Sequence, residues 1–562
     1  MRGRMDRDAA GGQARRRMST MSKQAAGALS AVTRWVDATF IDLARQLRWS
    51  FLPPLMVYFA AGVAGLTSVV GAFFVKDYLS LSAAFLAGLT FWAGLPWVLK
   101  MPIGHLVDLF WRWKGWIVVA GAALIAASLS IMIGLITERD AMAAILPVET
   151  WFIISALLSP TGYVLQDVVA DAMTVEAIPP VDASGAPLSD AESKAQHTTM
   201  QTLGRFAIIS GFVSVAIVNI VVFANVEAMD QADKILAYAR VYEAALIIPI
   251  ISVSGVILGA IMLRRRAARL KRMSISDARL EQLLTKPEKK TELDWQILAG
   301  GAAFVVITLG LGLSGFDYAA ETVFFGTLSV VWFLIARLCK ALTDAQARAL
   351  VGTAVVIFVF RAVPLPGPGL TWFEIDELGF DERFLSVLSL ITSALTLAGL
   401  VLLRPIMVRW SIVKIVGVLA VAGGILSLPN IALYYGLHEW TAPLTGGVVD
   451  ARFIAILDTA VESPLGQISM IPMLAWIARN APRDLKATFF AVMASFTNLA
   501  LSASSLGTKA MNSIFVVTRA TDEVPADYSE LGHLLITVAV LSVVLPLITI
   551  WLVQQSRFRV VD

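Results

Sequence analysis

Fourteen apolar runs, each long enough to cross a hydrocarbon core as a helix, constrain this chain more than any other feature. A spanning helix takes about 20 predominantly apolar residues. Runs of that kind lie near 51–75, 83–107, 115–136, 148–175, 199–224 and 241–263, then near 295–313 and 320–340. Six more lie near 350–368, 384–403, 411–430, 449–477, 486–510 and 531–554. Only 15% of the 562 residues are charged, where a soluble domain carries about 25%. The alternation of a β-barrel is absent, and an open sheet edge cannot survive in lipid. The pattern therefore predicts an all-α integral membrane protein.

Charge placement tests that map. With the first residues on the cytoplasmic side, the tails and the loops of that side hold 34 of the 45 Lys and Arg. The opposite side holds eight, and Lys100, Arg205 and Arg361 fall inside spans. Cytoplasmic loops are expected to carry the positive excess. Removing one span would invert every later loop, so the bias predicts an even number of spans with both termini cytoplasmic.

The chain also repeats itself. FVKDYLSLSAAFL (74–86) aligns with FEIDELGFDERFL (373–385), and Ser159-Pro160-Thr161-Gly162 aligns with Ser463-Pro464-Leu465-Gly466 at nearly the same offset. Ser82 and Asp381 coincide and are good N-caps for the helices that follow. Parallel repeats of this kind place a substrate site between two halves. The expected organisation is a basic tail (1–50), a six-helix bundle (51–263), a basic linker (264–294), an inserted helix pair (295–345), a second six-helix bundle (350–555) and a short tail (556–562). Residues 31–50 read either as an amphipathic surface helix or as a disordered tail, and no secretory signal is legible.

Ionisable groups inside spans are costly and mark function or a partner. The fourth span carries Asp167 and Asp171 on one helix face, with Glu176 beyond them. Lys100 and Arg205 are expected at similar depth, which suggests a network that binds an anionic solute or carries a proton, or else a structural latch. The twelfth span carries Asp458 and Glu462 on one face, Gln467 a turn further on, and Pro464 beside them. This is either a coupling or substrate site or buried polar packing. Arg361, followed by Pro364, Pro366 and Pro368, is expected to hold a substrate carboxylate or to pair with Asp458 or Glu462. Gly104, Asp108 and Arg112 read as a gating latch. Lys76, Asp77 and Asp376 read as turn and cap residues.

Other chemistry finds no footing. The single cysteine, Cys339, rules out an internal disulfide framework and a cysteine-based zinc site. The four histidines stand at no metal-ligand spacing, and no phosphate-cradling Gly-rich loop is present. No enzyme, cofactor, metal or nucleic-acid partner is expected.

GHLVDLFWRWKG resembles the loop signature of the major facilitator superfamily. KDYLSLS, LPWVLKMPIGHLVD, LQDVVADAMTVE, DTAVESPLGQISMIPMLAWIARNAP and ATFFAVMASFTNLA together resemble its folate–biopterin transporter family, from about residue 55 to about residue 510. The resemblance implies a major facilitator fold of two six-helix bundles, here with an inserted pair. It also implies proton-coupled or exchange movement of pterins and folates, with Asp167, Asp171, Asp458 and Gln467 at positions matching the family's motifs. The sequence departs from the pattern at Lys486, in the loop after span two, in the long loop from Ile178 to Gln196 and in the inserted pair. The muropeptide permeases, with a similar acidic fourth span, are the neighbouring alternative. From another class, a non-transporting receptor or assembly factor is the rival reading. The expected protein is thus a monomeric secondary transporter of an organic, anionic solute, seated in a plasma (inner) membrane with protons as partner.

Overall fold

A computed structural model describes residues 48–79, 81–178, 190–272, 295–340, 342–402, 410–465, 486–520 and 525–560. Of the amphipathic segment 31–50, residues 31–47 lie outside these, as do most of the linker 264–294 and Gln467. The described residues are helical almost throughout, with one isolated bridge, Thr518 to Asp527, in place of any strand.

A helix stands at each of the fourteen expected positions. Nine described helices are long and apolar enough to cross a membrane, and the bent pair Ala83–Leu99 and Pro102–Leu109 makes a tenth. The first half comprises span 1 (Trp49–Tyr78), span 2 (the bent pair), span 3 (Lys114–Thr137), span 4 (Val148–Ala177), span 5 (Asp190–Val222) and span 6 (Gln231–Ala245 with Ile247–Arg272). The inserted pair is span 7 (Trp295–Leu313) and span 8 (Ala319–Cys339). The second half comprises span 9 (Asp344–Arg361 with Pro368–Asp376), span 10 (Glu382–Leu402) and span 11 (Ile412–Leu426 with Leu428–Tyr434). It continues with span 12 from Ala451–Glu462, span 13 (Lys486–Ile514) and span 14 (Leu531–Gln555). The end of the bundle at which span 1 begins is here called the near end. The loops after odd-numbered spans form the far end.

Both expected caps form. Ser82 accepts from the Phe85 amide at 3.1 Å, and Asp381 accepts from the Phe384 amide at 2.7 Å. Each satisfies a helix-start donor that lipid could not. Glycine sets the closest helix crossings, as expected where packing rather than water exclusion holds helices together. A Cβ on Gly62 of span 1 would fall 2.0 Å from the Ile208 carbonyl of span 5, and one on Gly121 of span 3 would fall 2.5 Å from the Gly162 carbonyl of span 4.

The inserted pair lies along the seam between the halves. Span 7 packs on the second part of span 2, where a Cβ on Gly301 would meet Pro102 at 2.8 Å, and span 8 packs on span 13. Lys509 of span 13 and Glu321 of span 8 form an ion pair at 2.9 Å. Phe91 and Leu95 of span 2 share one apolar cluster with Val323 and Phe324 of span 8 and Met493 and Phe496 of span 13.

Candidate functional site

Span 2 bends by 40° between Ala83–Leu99 and Pro102–Leu109. Lys100 opens the helix after the bend. Its ammonium lies 2.5 Å from Asp167 Oδ2 and 2.9 Å from Asp171 Oδ2. One cation thus bridges two carboxylates that the helical period of span 4 puts on a single face. The Tyr58 hydroxyl of span 1 donates to the remaining Asp171 oxygen, Oδ1, at 2.6 Å. Arg205 of span 5 interacts electrostatically with both Asp167 and Tyr58. The residue before it explains the approach: a Cβ on Gly204 would sit 2.9 Å from the Tyr58 ring. Four spans of the first half therefore converge on a cluster of two acids and two bases. Tyr58 escaped the sequence reading, because one hydroxyl in an apolar helix leaves no periodic mark.

Beyond this cluster, towards the near end, Lys114 pairs with Glu176 and lies over the Trp111 ring at 4.1 Å. Gly104 faces span 4, where a Cβ would touch Val168 at 3.9 Å. Asp108 is exposed and interacts with His105. The Arg112 side chain lies outside the described residues.

The acids of the second half sit differently. Asp458 is 8% exposed; its Oδ2 accepts from Asn430 of span 11 at 3.1 Å, and its Oδ1 has no partner among the described residues. Glu462 and Glu374 both act on Asp458 electrostatically. Glu374, in the second part of span 9, is a further acid that the sequence reading passed over. Arg361 makes no ion pair with Asp458 or Glu462 among the described residues, which corrects the expected internal pairing. It ends the helix Asp344–Arg361, with its Nε buried and unpartnered among the described residues. A cation is stabilised at that pole of a helix by the backbone dipole. Among the described residues no group of three or more His, Cys, Asp or Glu could hold a metal ion.

The Pro-rich break after Arg361 is held from outside. Ser504, Thr508 and Asn512 form an i, i+4, i+8 stripe on span 13. Ser504 donates to the Val363 carbonyl at 2.6 Å, Thr508 accepts from the Leu365 amide at 2.9 Å, and Asn512 donates to the Pro366 carbonyl at 3.0 Å. Irregular backbone at membrane depth persists where neighbouring side chains satisfy it in this way, and broken helices are a feature of transporter binding sites.

At the far end the polar contacts join the halves. Lys76 of span 1 pairs with Asp376 of span 9 at 2.5 Å, which corrects the reading of these two as turn and cap residues only. Tyr238 of span 6 donates to Glu382 of span 10, a carboxylate 1% exposed, and Arg383 Nη1 donates to the Ala224 carbonyl at 3.2 Å. The near-end ion pairs described above stay within the first half.

Comparison with known proteins agrees with this architecture. The model of the BT1 family matches residues 61–562. A folate-biopterin transporter of Synechocystis sp. is 22% identical over 456 residues, covering 80% of this chain and 72% of that protein. Among solved structures, a POT family transporter in complex with 5-aminolevulinic acid superimposes with TM-score 0.58 at 13% identity, over 90% of this chain and 96% of that one. The nucleoside transporter NupG gives TM-score 0.52 at 12% identity, over 89% and 98%. These two carry the fold alone: the major facilitator arrangement with its facing six-helix halves. The family match spans nearly the whole sequence, and the chain belongs to the BT1 family, a family of multi-pass membrane transporters.

Proposed function

We propose that this protein moves an organic anion, a folate or pterin first, by alternating access coupled to protons. The observation that carries the reading is Lys100 held between Asp167 and Asp171 inside the membrane. An ammonium that bridges two carboxylates is a cation available for exchange. A solute carboxylate that takes Lys100, or the neighbouring Arg205, leaves two acids four residues apart short of one counter-charge. A proton then restores the balance, so solute and proton bind together. Asp458, Glu462 and Gln467 act as a second acidic station in the other half, and Arg361 offers a two-point contact to a solute carboxylate. Support for the solute comes from the folate-biopterin transporter relative. Support for an orientation with both termini cytoplasmic and the far end outside the inner membrane comes from the Lys/Arg bias of the loops. Gly104, Asp108 and Arg112 form the near-end latch, and the protein works as a monomer.

The test is uptake of labelled folate, and separately of a labelled muropeptide, into proteoliposomes with and without an imposed pH gradient. Saturable folate uptake that accelerates when the outside is acid supports the reading. Unsaturable leakage of both solutes, indifferent to the gradient, overturns it.

A further inference from the structure

The far-end seam contains a second group of two acids and two bases, distinct from the Lys100 cluster. Lys76 Nζ lies 2.5 Å from Asp376 Oδ1 across the seam and 3.2 Å from Asp77 Oδ1 in its own half. Arg519, only 8% exposed, donates through Nη1 to the Val75 and Lys76 carbonyls at the end of span 1. It also interacts electrostatically with Asp77 and Asp376. The Val75 carbonyl also accepts from the Leu79 amide at 3.3 Å, and the helix C-terminus favours a cation, so the guanidinium fits that place on physical grounds.

Arg519 belongs to the second half. The paired amides and carbonyls of Thr518 and Asp527, at 3.0 and 2.9 Å, hold it beside Tyr528. Tyr434 of span 11 donates to the Tyr528 carbonyl at 3.0 Å, and the guanidinium lies 5.8 Å from the Trp372 ring centre in span 9. The Tyr528 hydroxyl donates to Asp376 Oδ2 at 2.5 Å, from the same half.

We propose that Lys76, Asp77, Asp376 and Arg519 are a partner-exchanging latch that closes the far end and divides without stranding a charge. When the halves part, Lys76 gives up Asp376 and keeps Asp77. Asp376 keeps Tyr528 and the field of Arg519. Each half leaves with one cation and one anion. A single inter-half ion pair in a membrane protein would instead leave an isolated charge on each side. The device rests on the alternating-access reading above, and it assigns opposite effects to two aspartates of one cluster. Asp376→Asn weakens the closed state more than the open one, because it removes the Lys76 pair across the seam. Asp77→Asn weakens the open state more than the closed one, because Lys76 still meets Asp376 while the far end is shut.

The test is a spin-label distance measurement in lipid nanodiscs. Labels go on Glu227→Cys and Glu439→Cys, exposed far-end positions on opposite halves, in a Cys339→Ser background. The expected wild type shows a short and a long population. Asp376→Asn raises the long-to-short ratio by about fivefold or more, the low end of site-to-site coupling, and Asp77→Asn lowers it by a similar factor. Lys76→Arg, which keeps the charge, leaves the ratio within about twofold of wild type and reports on folding. If the two populations exist but both aspartate variants shift them the same way, or not at all, the latch is wrong and alternating access stands. One fixed distance in every variant, with and without folate, overturns the rocking of the halves and the latch with it.

Discussion

Spans 4 and 12 occupy matching places in the two halves, and each carries two acids four residues apart, yet among the described residues only those of span 4 have a cation. Asp167 and Asp171 share Lys100 and have Tyr58 and Arg205 beside them. Asp458 has one amide partner and an orphan oxygen, with Glu374 and Glu462 as its charged neighbours. Asp167 follows Pro160 by seven residues and Asp458 precedes Pro464 by six. Aligned on the two prolines, the acidic stations lie about 20 Å apart at 1.5 Å per helical residue. The two halves thus carry their acids differently: paired with a cation towards the near end, and without a cation among the described residues towards the far end.

Substitutions in the two clusters should therefore behave unlike one another. The largest effect belongs to Lys100→Met, which leaves the largely buried Asp167 and the more exposed Asp171 with Arg205 as their neighbouring cation. Folate uptake should fall at least ~100-fold, with a lower melting temperature than wild type. Adding Asp167→Asn to Lys100→Met should recover much of the lost thermal stability, measured by melting in detergent. Additive losses would show that the three groups are not one network.

Next comes Asp458→Asn, where no ion pair is lost. Its melting temperature should equal or exceed that of wild type, because a buried carboxylate with no cation partner among the described residues is replaced by a neutral amide. Gradient-driven accumulation should fall by about tenfold at a one-unit pH gradient, the contribution of one proton. A destabilised Asp458→Asn, with accumulation intact, would erase the contrast between the halves.

Tyr58→Phe sharpens the comparison at smaller scale. It removes one hydrogen bond to Asp171 and leaves the ion pairs, so a loss of about 1 kcal/mol and a several-fold rise in KM are expected. The smallest effect is that of Thr508→Val, which removes one rung of the stripe under span 9. Side-chain hydrogen bonds between membrane helices average about 0.6 kcal/mol, and a melting shift of a few degrees with transport retained should follow.

Much of the fold was legible because lipid imposes it. Apolar length gave the spans, and the paired FVKDYLSLSAAFL and FEIDELGFDERFL strings pointed to two halves. The clustering of Lys100 with Asp167 and Asp171 was legible from span sense and depth alone. What escaped is what depends on neighbours remote in sequence. Lys76 and Asp376 are 300 residues apart, and nothing local to either names the other. Glu374 stands in a turn of helix that reads as the end of an apolar run. The Ser504, Thr508 and Asn512 stripe was readable in principle, since its spacing of four on an apolar helix matches the three prolines that leave backbone groups unpaired in span 9. Arg361 was expected beside Asp458 or Glu462 because a lone cation calls for an acid. It sits instead at the C-terminal pole of its own half-helix, where the dipole supplies the negative field.

The central claim is that solute and proton exchange places on Lys100 and its two acids. The most direct measurement is a pulse of folate onto proteoliposomes that contain a pH-sensitive dye and start with no gradient. The wild type should acidify the lumen as folate enters, and Asp167→Asn should bind folate without moving protons. Folate entry with no change in luminal pH, or an Asp167→Asn response equal to that of the wild type, would contradict the account.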